Sequence, residues 1–185
     1  MSKFKTTLTK YLNSRLEESD SGFTLVELIV VVVIIGILSS IAIPSFQNAS
    51  EKAKQKEAST LVASYLKAAQ AYYTENSFTP SRSDHIGQYI TVTACRQGNP
   101  QYCKENNSSL INYSNTSRNT WYSPSGHYNI RMERSGTRLN FRALPISSSG
   151  IGVTGCYDSF SGATKLKENN MSQKGAGNVR NINCR

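Results

Sequence analysis

The apolar residues of this chain form two helical patterns in succession. Residues 25–43 are almost entirely apolar, and this run is long enough to cross a bilayer as a helix, which needs ~20 residues. From residue 45 to about residue 73, apolar side chains recur at the spacing of one helix face, and polar side chains occupy the other face. The two patterns together predict one helix over residues 23–73, ~75 Å long at 1.5 Å per residue.

Apolar and polar residues alternate with the period of a strand in two later segments, residues 128–133 and 138–143. A two-residue turn at Ser135-Gly136 would join them as a hairpin. The cross-strand pairs expected from this turn are Met132 with Leu139, Ile130 with Phe141, Tyr128 with Ala143, and Glu133 with Arg138. A slip of one residue would turn the apolar set to the wrong face, so the pattern favours this face assignment.

The other strand signals are weaker. A third strand is expected over residues 151–157, and a short one over residues 89–93 within a loop region at 74–127. The tail from residue 159 to residue 185 is polar and rich in Gly and Asn. The predicted fold is therefore α+β, with a long N-terminal helix packed on a small antiparallel sheet.

One acidic residue, Glu27, lies inside the apolar run. A carboxylate within a membrane helix costs ~2.5–3.5 kcal/mol, so such a residue indicates a function. The structural alternative is a position near the membrane edge from which the carboxylate reaches water. The neighbouring residues favour the functional interpretation.

The segment Gly22-Phe23-Thr24-Leu25-Val26-Glu27, with Pro44 closing the apolar run, resembles the class III signal segment of type IV pilins. That pattern is Gly, a hydrophobic residue that is often Phe, Thr-Leu-hydrophobe-Glu, and then a long apolar run. The resemblance extends to about residue 73. A first mature residue Phe23 is typical of the type IVa subclass, and the long leader is similar to those of cyanobacterial major pilins.

The resemblance implies a role for three residues. A prepilin peptidase would cut between Gly22 and Phe23 and then N-methylate the new amine of Phe23. Glu27 would pair with the N-terminal amine of a neighbouring subunit during assembly, which would offset the cost of burying both charges. Because residues four apart share a helix face, Glu27 is expected to lie below the amine of Phe23.

The same resemblance divides the chain into a cleaved leader (1–22), a transmembrane and assembly helix (23–44) and a globular head (45–185). Gly36 and Pro44 are weak points of the helix, because they lower helix stability by ~1 and ~3 kcal/mol. In the family this stretch can unwind in the filament. The chain is expected in the inner membrane, with its C-terminal head outside the cytoplasm, and then in an extracellular pilus.

Two other interpretations of the apolar segment explain less. An ordinary secretory signal could be cut after Ser40-Ile41-Ala42, but Glu27 interrupts its apolar region and Pro44 lies two residues past the cut. A plain membrane anchor explains the length of the segment, but neither Gly22 nor Glu27.

The chain carries a net charge of +9, which raises the question of anionic partners. Arg131, Arg138 and Arg142 are expected on the solvent face of the hairpin, near Arg134 at its turn. A fibre that repeats this face could bind DNA, because phosphate contacts dominate such affinity. The structural alternative, a solvated face, is favoured.

Four cysteines, Cys95, Cys103, Cys156 and Cys184, all follow the membrane segment. No C-x-x-C unit is present, so two disulfides in an oxidising compartment are favoured over a zinc site. Three pairings are possible; Cys95–Cys103 as a local loop and Cys156–Cys184 as a C-terminal staple are favoured. The second pair resembles the disulfide-bounded loop near the end of many pilins.

No arrangement of residues indicates catalysis, a cofactor or a metal. The chain is predicted to be a structural subunit of a type IV pilus that serves motility, adhesion or DNA uptake. Its expected partners are its own copies, prepilin peptidase, the assembly ATPase, the inner-membrane platform and, on weaker grounds, DNA. The alternative is a minor pilin or a type II secretion pseudopilin. Major pseudopilins often carry an acidic calcium site near the C-terminus, whereas only Asp158 and Glu168 follow Glu133 here.

Overall fold

Helix α1, Leu25–Asn76, is the longest element of the structure. The computed structural model describes residues 22–96, 103 and 110–184, so most of the predicted leader lies outside the described residues. The chain forms two compact units, Met1–Ser45 and Phe46–Arg185. In the first unit the apolar side chains from Leu25 to Ile43 are exposed. By length and composition, α1 is a candidate membrane span.

Among its described residues, the second unit is built around one sheet of seven strands in the order β2-β1-β3-β4-β5-β6-β7, with antiparallel neighbours throughout. The strands are β1 Thr93–Cys95, β2 Leu110–Asn112, β3 Thr120–Tyr122, β4 Tyr128–Ser135, β5 Arg138–Pro145, β6 Val153–Asp158 and β7 Thr164–Glu168. A short helix α2, Ser83–Ile86, follows α1, and a 3-10 turn covers Ala176–Asn178.

The C-terminal half of α1 packs on one face of this sheet. Its buried apolar side chains from Ala58 to Ala69 join a core with the inward residues of the sheet. Tyr65 lies at the centre, with ring centroids 5.5 Å from Trp121 and 5.6 Å from Phe141. The indole N–H of Trp121 donates to the Tyr65 hydroxyl at 3.3 Å, which satisfies a polar group that burial would otherwise penalise. The predicted α+β fold is thus confirmed.

Polar contacts attach α1 to the edge of the sheet beside this core. The buried Gln55 amide donates to the carbonyls of Gly152, at 3.1 Å, and Asn169, at 2.7 Å. Further along the helix, Lys56 and Ser59 donate to the Glu168 carboxylate at the end of β7. The hydrogen bond from Lys56, followed by that from Ser59, lowers the pKa of Glu168.

Gly155 in β6 lets the helix approach the sheet closely. A Cβ at this position would meet Val62 Cγ1 at less than contact distance and would lie 2.8 Å from Leu66 Cδ1. We expect Gly155→Val to destabilise the second unit by at least ~1–3 kcal/mol, because the added methyl groups overpack this interface. Urea unfolding of the full chain measures the change.

The control is Gly177→Ala, whose Cβ would meet no atom within 4 Å. Equal unfolding midpoints for the two variants would contradict this account of Gly155.

The hairpin of β4 and β5 has a different register from the prediction. The turn residues are Gly136-Thr137, and Ser135 pairs with Arg138. Met132 consequently lies opposite Phe141, Ile130 opposite Ala143, Tyr128 opposite Pro145, and Glu133 opposite Asn140. Gly136 has a φ of 60°, whereas Thr137 is not in the positive-φ region, so the turn has the φ pattern of type II′, which prefers Gly at its first position. The error of two residues preserves the buried face, because side chains alternate with a period of two.

The weaker strand predictions were less accurate. The strand expected at 89–93 lies at Thr93–Cys95, and the third strand runs over Val153–Asp158 with a separate bridge at Ile151. Strand β7 was assigned to the polar tail, because all five of its residues are exposed and carry no alternating pattern. Strands β2 and β3 have three residues each, too few for a period to be visible.

Candidate processing and assembly site

Helix α1 begins with a reciprocal pair of hydrogen bonds between Thr24 and Glu27. The Glu27 N–H donates to the Thr24 hydroxyl at 3.2 Å, and the Glu27 Oε2 atom accepts from the Thr24 N–H at 2.9 Å and its hydroxyl at 2.8 Å. The first backbone bond of the helix runs from the Leu28 N–H to the Thr24 carbonyl. This is a capping box, in which two orphan donors of the helix end are satisfied.

The capping box gives Glu27 a local role that we did not predict from the sequence. The pattern Thr-x-x-Glu before an apolar run is a sequence signal for it. A carboxylate in the first turn is also stabilised by the positive end of the helix dipole. Only one carboxylate oxygen is used, since Glu27 Oε1 accepts no hydrogen bond from the described residues.

Gly22 and Phe23 precede the helix and are exposed; the Phe23 side chain is 90% accessible. Phe23 precedes the helix, which begins at Leu25 after the Thr24 cap. The expected placement of Glu27 below the new amine of Phe23 concerns the cleaved chain and stays a prediction. A Cβ on Gly22 would meet no atom within 4 Å. The fold of this chain thus sets no steric requirement for glycine at that position.

The two predicted weak points, Gly36 and Pro44, both lie within α1. Pro44 has no N–H to donate to the carbonyl four residues earlier, which is that of Ser40. The Ser40 hydroxyl itself donates to the Ile37 carbonyl at 2.7 Å. Unwinding of this stretch in a filament stays a prediction; a continuous helix there in an assembled fibre would contradict it.

Three of the four candidate arginines share the outer face of the sheet. Arg131 lies opposite Arg142 in the hairpin, and Arg138 lies two residues before Asn140 on the same side of β5. Arg134 is in register with the buried Leu139, on the opposite face, and donates to the Thr79 carbonyl at 3.2 Å. The four side chains therefore do not form one continuous surface.

Residues 179–184, which we call the C-terminal strap, cover part of this outer face. The Arg142 guanidinium donates to the Val179 carbonyl at 3.4 Å, and the Ile182 N–H donates to Asn140 Oδ1 at 3.0 Å. Two further hydrogen bonds join the strap to the sheet. The Thr154 hydroxyl donates to the Arg180 carbonyl, and the Asn181 side-chain amide donates to the Glu133 carboxylate. Arg142 is consequently only 17% exposed, and its predicted position on a solvent face is wrong.

Glu133 neutralises part of the charge on this face. Its carboxylate pairs with Arg142 and lies 3.9 Å from Arg131. Burial acts to raise the pKa of Glu133. Hydrogen bonds from Asn181 and Arg142, together with the charges of Arg142 and Arg131, lower it by more, so the pKa is below its usual value. The face is therefore partly ion-paired.

Two disulfides are present, Cys95–Cys103 and Cys156–Cys184. They are the two pairs favoured from the sequence. The second joins the strap to β6 across a sequence separation of 28 residues, whereas the first closes a separation of 8 residues.

Comparison with known families gives a match in the N-terminal part of the chain. The family model for the prokaryotic N-terminal methylation motif matches residues 19–43. The chain is 35% identical over 91 residues to the type IV major pilin protein PilA of Myxococcus xanthus, covering 44% of this chain and 41% of the relative. It is 35% identical over 77 residues to the fimbrial protein EcpC of Eikenella corrodens, covering 42% and 50%.

A relative from another system is similar over a stretch of comparable length. The type II secretion system core protein G of Vibrio cholerae is 38% identical over 71 residues, covering 38% of this chain and 49% of the relative. The chain thus spans half or less of the length of these relatives. No solved structure matches. Together the matches support the resemblance to the type IV pilin family and indicate a non-enzymatic, pilin-like subunit.

Proposed function

We propose that this chain is a structural subunit of a type IV pilus, cut between Gly22 and Phe23 and polymerised through its apolar helix. The observation that carries the proposal is the carboxylate of Glu27, which lies in the first turn of an exposed apolar helix, four residues after Phe23. Prepilin peptidase would make the cut and methylate the new amine of Phe23.

Cleavage creates the partner that Glu27 lacks in the precursor. The new N-terminus is a cation, and the Glu27 Oε1 atom is available to accept a charge-assisted hydrogen bond from it. When the apolar helices of several copies pack together, each charge loses water, and only pairing offsets that cost. The amine of one copy is proposed to bind Glu27 of its neighbour.

Before assembly the apolar segment would anchor the chain in the inner membrane, with the second unit outside the cytoplasm. An assembly ATPase and a membrane platform would then move copies into an extracellular filament for motility, adhesion or DNA uptake. DNA binding has the least support, because Arg142 is ion-paired and covered. Arg131 and Arg138 remain as the exposed arginines of the outer face.

A minor pilin or a type II secretion pseudopilin is the second candidate. It is supported by the similarity to core protein G, which extends over a number of residues comparable to that of the pilin matches. These classes would share the cut and the methylation with the major subunit, but differ from it in abundance within the fibre.

Mass spectrometry of sheared surface filaments tests the proposal. We expect this chain as an abundant component that begins at N-methylated Phe23. Its absence from the fibres, with the processed chain still in the membrane, would support the second candidate instead. An uncut N-terminus in assembled fibres would contradict both.

A further inference from the structure

A polar groove lies in the second unit, between the start of its helical part and the loop after β5. Two adjoining cavities of about 190 Å³ and 330 Å³ share Glu51 and Lys54 in their walls. The larger falls in the size range of small-molecule sites, ~300–1,000 Å³. We call this the Lys54 groove, and its walls include Phe46, Ser50, Glu51, Lys54, Ser149 and Lys174.

The groove contains charges of both signs, with a positive excess. Lys54 and Glu51 form an ion pair of 2.7 Å, with side chains 31% and 13% exposed. Lys174 is exposed and has no ion-pair partner among residues 22–96, 103 and 110–184. Its backbone is fixed beside the loop by a bridge to Ile151 and by the bond from the Gly175 N–H to the Gly150 carbonyl. The backbone of Lys174 therefore has a defined position beside the groove.

The chain position of the groove indicates what fills it. Phe46 is the second residue after Pro44, which closes the apolar segment, and its side chain is 75% exposed. A hydrocarbon core is ~30 Å thick, and the headgroup layers bring the bilayer to ~40–45 Å. Residues that directly follow a membrane-spanning segment therefore lie among lipid headgroups, where aromatic rings and lysines are the usual anchors.

We propose that the Lys54 groove binds the headgroup of an anionic glycerophospholipid while the chain is in the membrane. The phosphodiester is held by Lys174 and Lys54, and the headgroup hydroxyls are held by the Glu51 carboxylate and the Ser50 and Ser149 hydroxyls. Lys56 is not among the residues that line the two cavities, and it pairs with Glu168 instead. The proposal depends on membrane anchoring, but not on polymerisation.

The test is lipid titration of the full-length chain in non-ionic detergent, followed by native mass spectrometry. Phosphatidylglycerol is expected to bind at one site, at least about five-fold more tightly than zwitterionic phosphatidylcholine. Lys174→Gln should lower the phosphatidylglycerol affinity about five-fold, since one lysine near an anionic membrane contributes ~1 kcal/mol. The matched control is Lys167→Gln, an exposed lysine of β7 that has no ion-pair partner among the described residues.

Equal loss in the two lysine variants, or equal binding of the two lipids, would overturn the proposal. Free glycerol phosphate is added as a competitor; full displacement at the same concentration as the lipid would show a site for soluble phosphate esters and would also overturn it. Because binding is measured on the unassembled subunit, failure to form filaments does not affect the result.

Discussion

Replacing Glu27 by alanine will abolish filaments, and replacing it by glutamine will do so equally. Both variants leave the new amine of Phe23 without its proposed anionic partner. Removal of one member of a buried ion pair costs ~3–5 kcal/mol, which weakens each subunit contact by about 10²- to 10⁴-fold. Membrane insertion and cleavage after Gly22 should continue, because the substitution makes the helix no less apolar.

The capping box makes the glutamine variant the informative one. Glutamine at this position still closes the box with Thr24, whereas alanine does not. Thr24→Ala is the matched control, since it removes the cap at a cost of ~1 kcal/mol but keeps the Glu27 charge. Filament yield in sheared fractions, with an immunoblot of cleaved chain in membranes, measures each variant. Normal filaments from Glu27→Gln would show that capping, and not charge, is what assembly requires.

Replacing Cys156 and Cys184 by serine together will lower the free energy of unfolding by ~3–4 kcal/mol. This disulfide closes a separation of 28 residues, and the chain entropy that it removes from the unfolded state grows with loop length. The strap would then be held by its hydrogen bonds and by the buried side chain of Val179, and the covered Arg142 would become more accessible.

The Cys95/Cys103 double serine variant is the matched comparison, because its loop spans only 8 residues. On loop length alone it should lose ~1 kcal/mol less. Urea unfolding of the full chain can be followed by fluorescence of the single tryptophan, Trp121, which is buried against Tyr65. A larger loss from the Cys95/Cys103 variant would contradict the loop-length argument.

The elements predicted correctly from the sequence are those with a sustained period. The helix carries a helical pattern and the β4–β5 hairpin an alternating one, and the buried face of the hairpin was assigned correctly. The buried face of the helix was assigned only in part, because Phe46, which was expected on it, is exposed, while Ser59, which was expected on the polar side, is buried. The predicted register of the hairpin was wrong because alternation determines which side chains share a face, but not which residues pair across the two strands. The turn was placed at Ser135-Gly136, one residue before its observed position at Gly136-Thr137. Strand β7 exists because its backbone pairs with β6, so its exposed side chains carry no signal.

The candidate site was only partly visible in the sequence. Glu27 and Gly22 stand out because each departs from what its surroundings favour, but the hydrogen bonds of Thr24 had to be seen in the structure. The arginine face was predicted from strand alternation alone. That reasoning does not include residues 179–184, which are distant in sequence and reach the sheet only through tertiary contacts and a disulfide.

The exposed edge strand β7 has a consequence for any protein that gathers into a polymer. Copies in a fibre meet at very high local concentration, where an unpaired sheet edge can join the sheet of a neighbour and trap the wrong aggregate. Lys165 and Lys167 place two positive charges on this edge, and two such edges repel each other. The lysines of β7 would thus act as a safeguard that leaves the apolar helix as the proposed route by which copies associate.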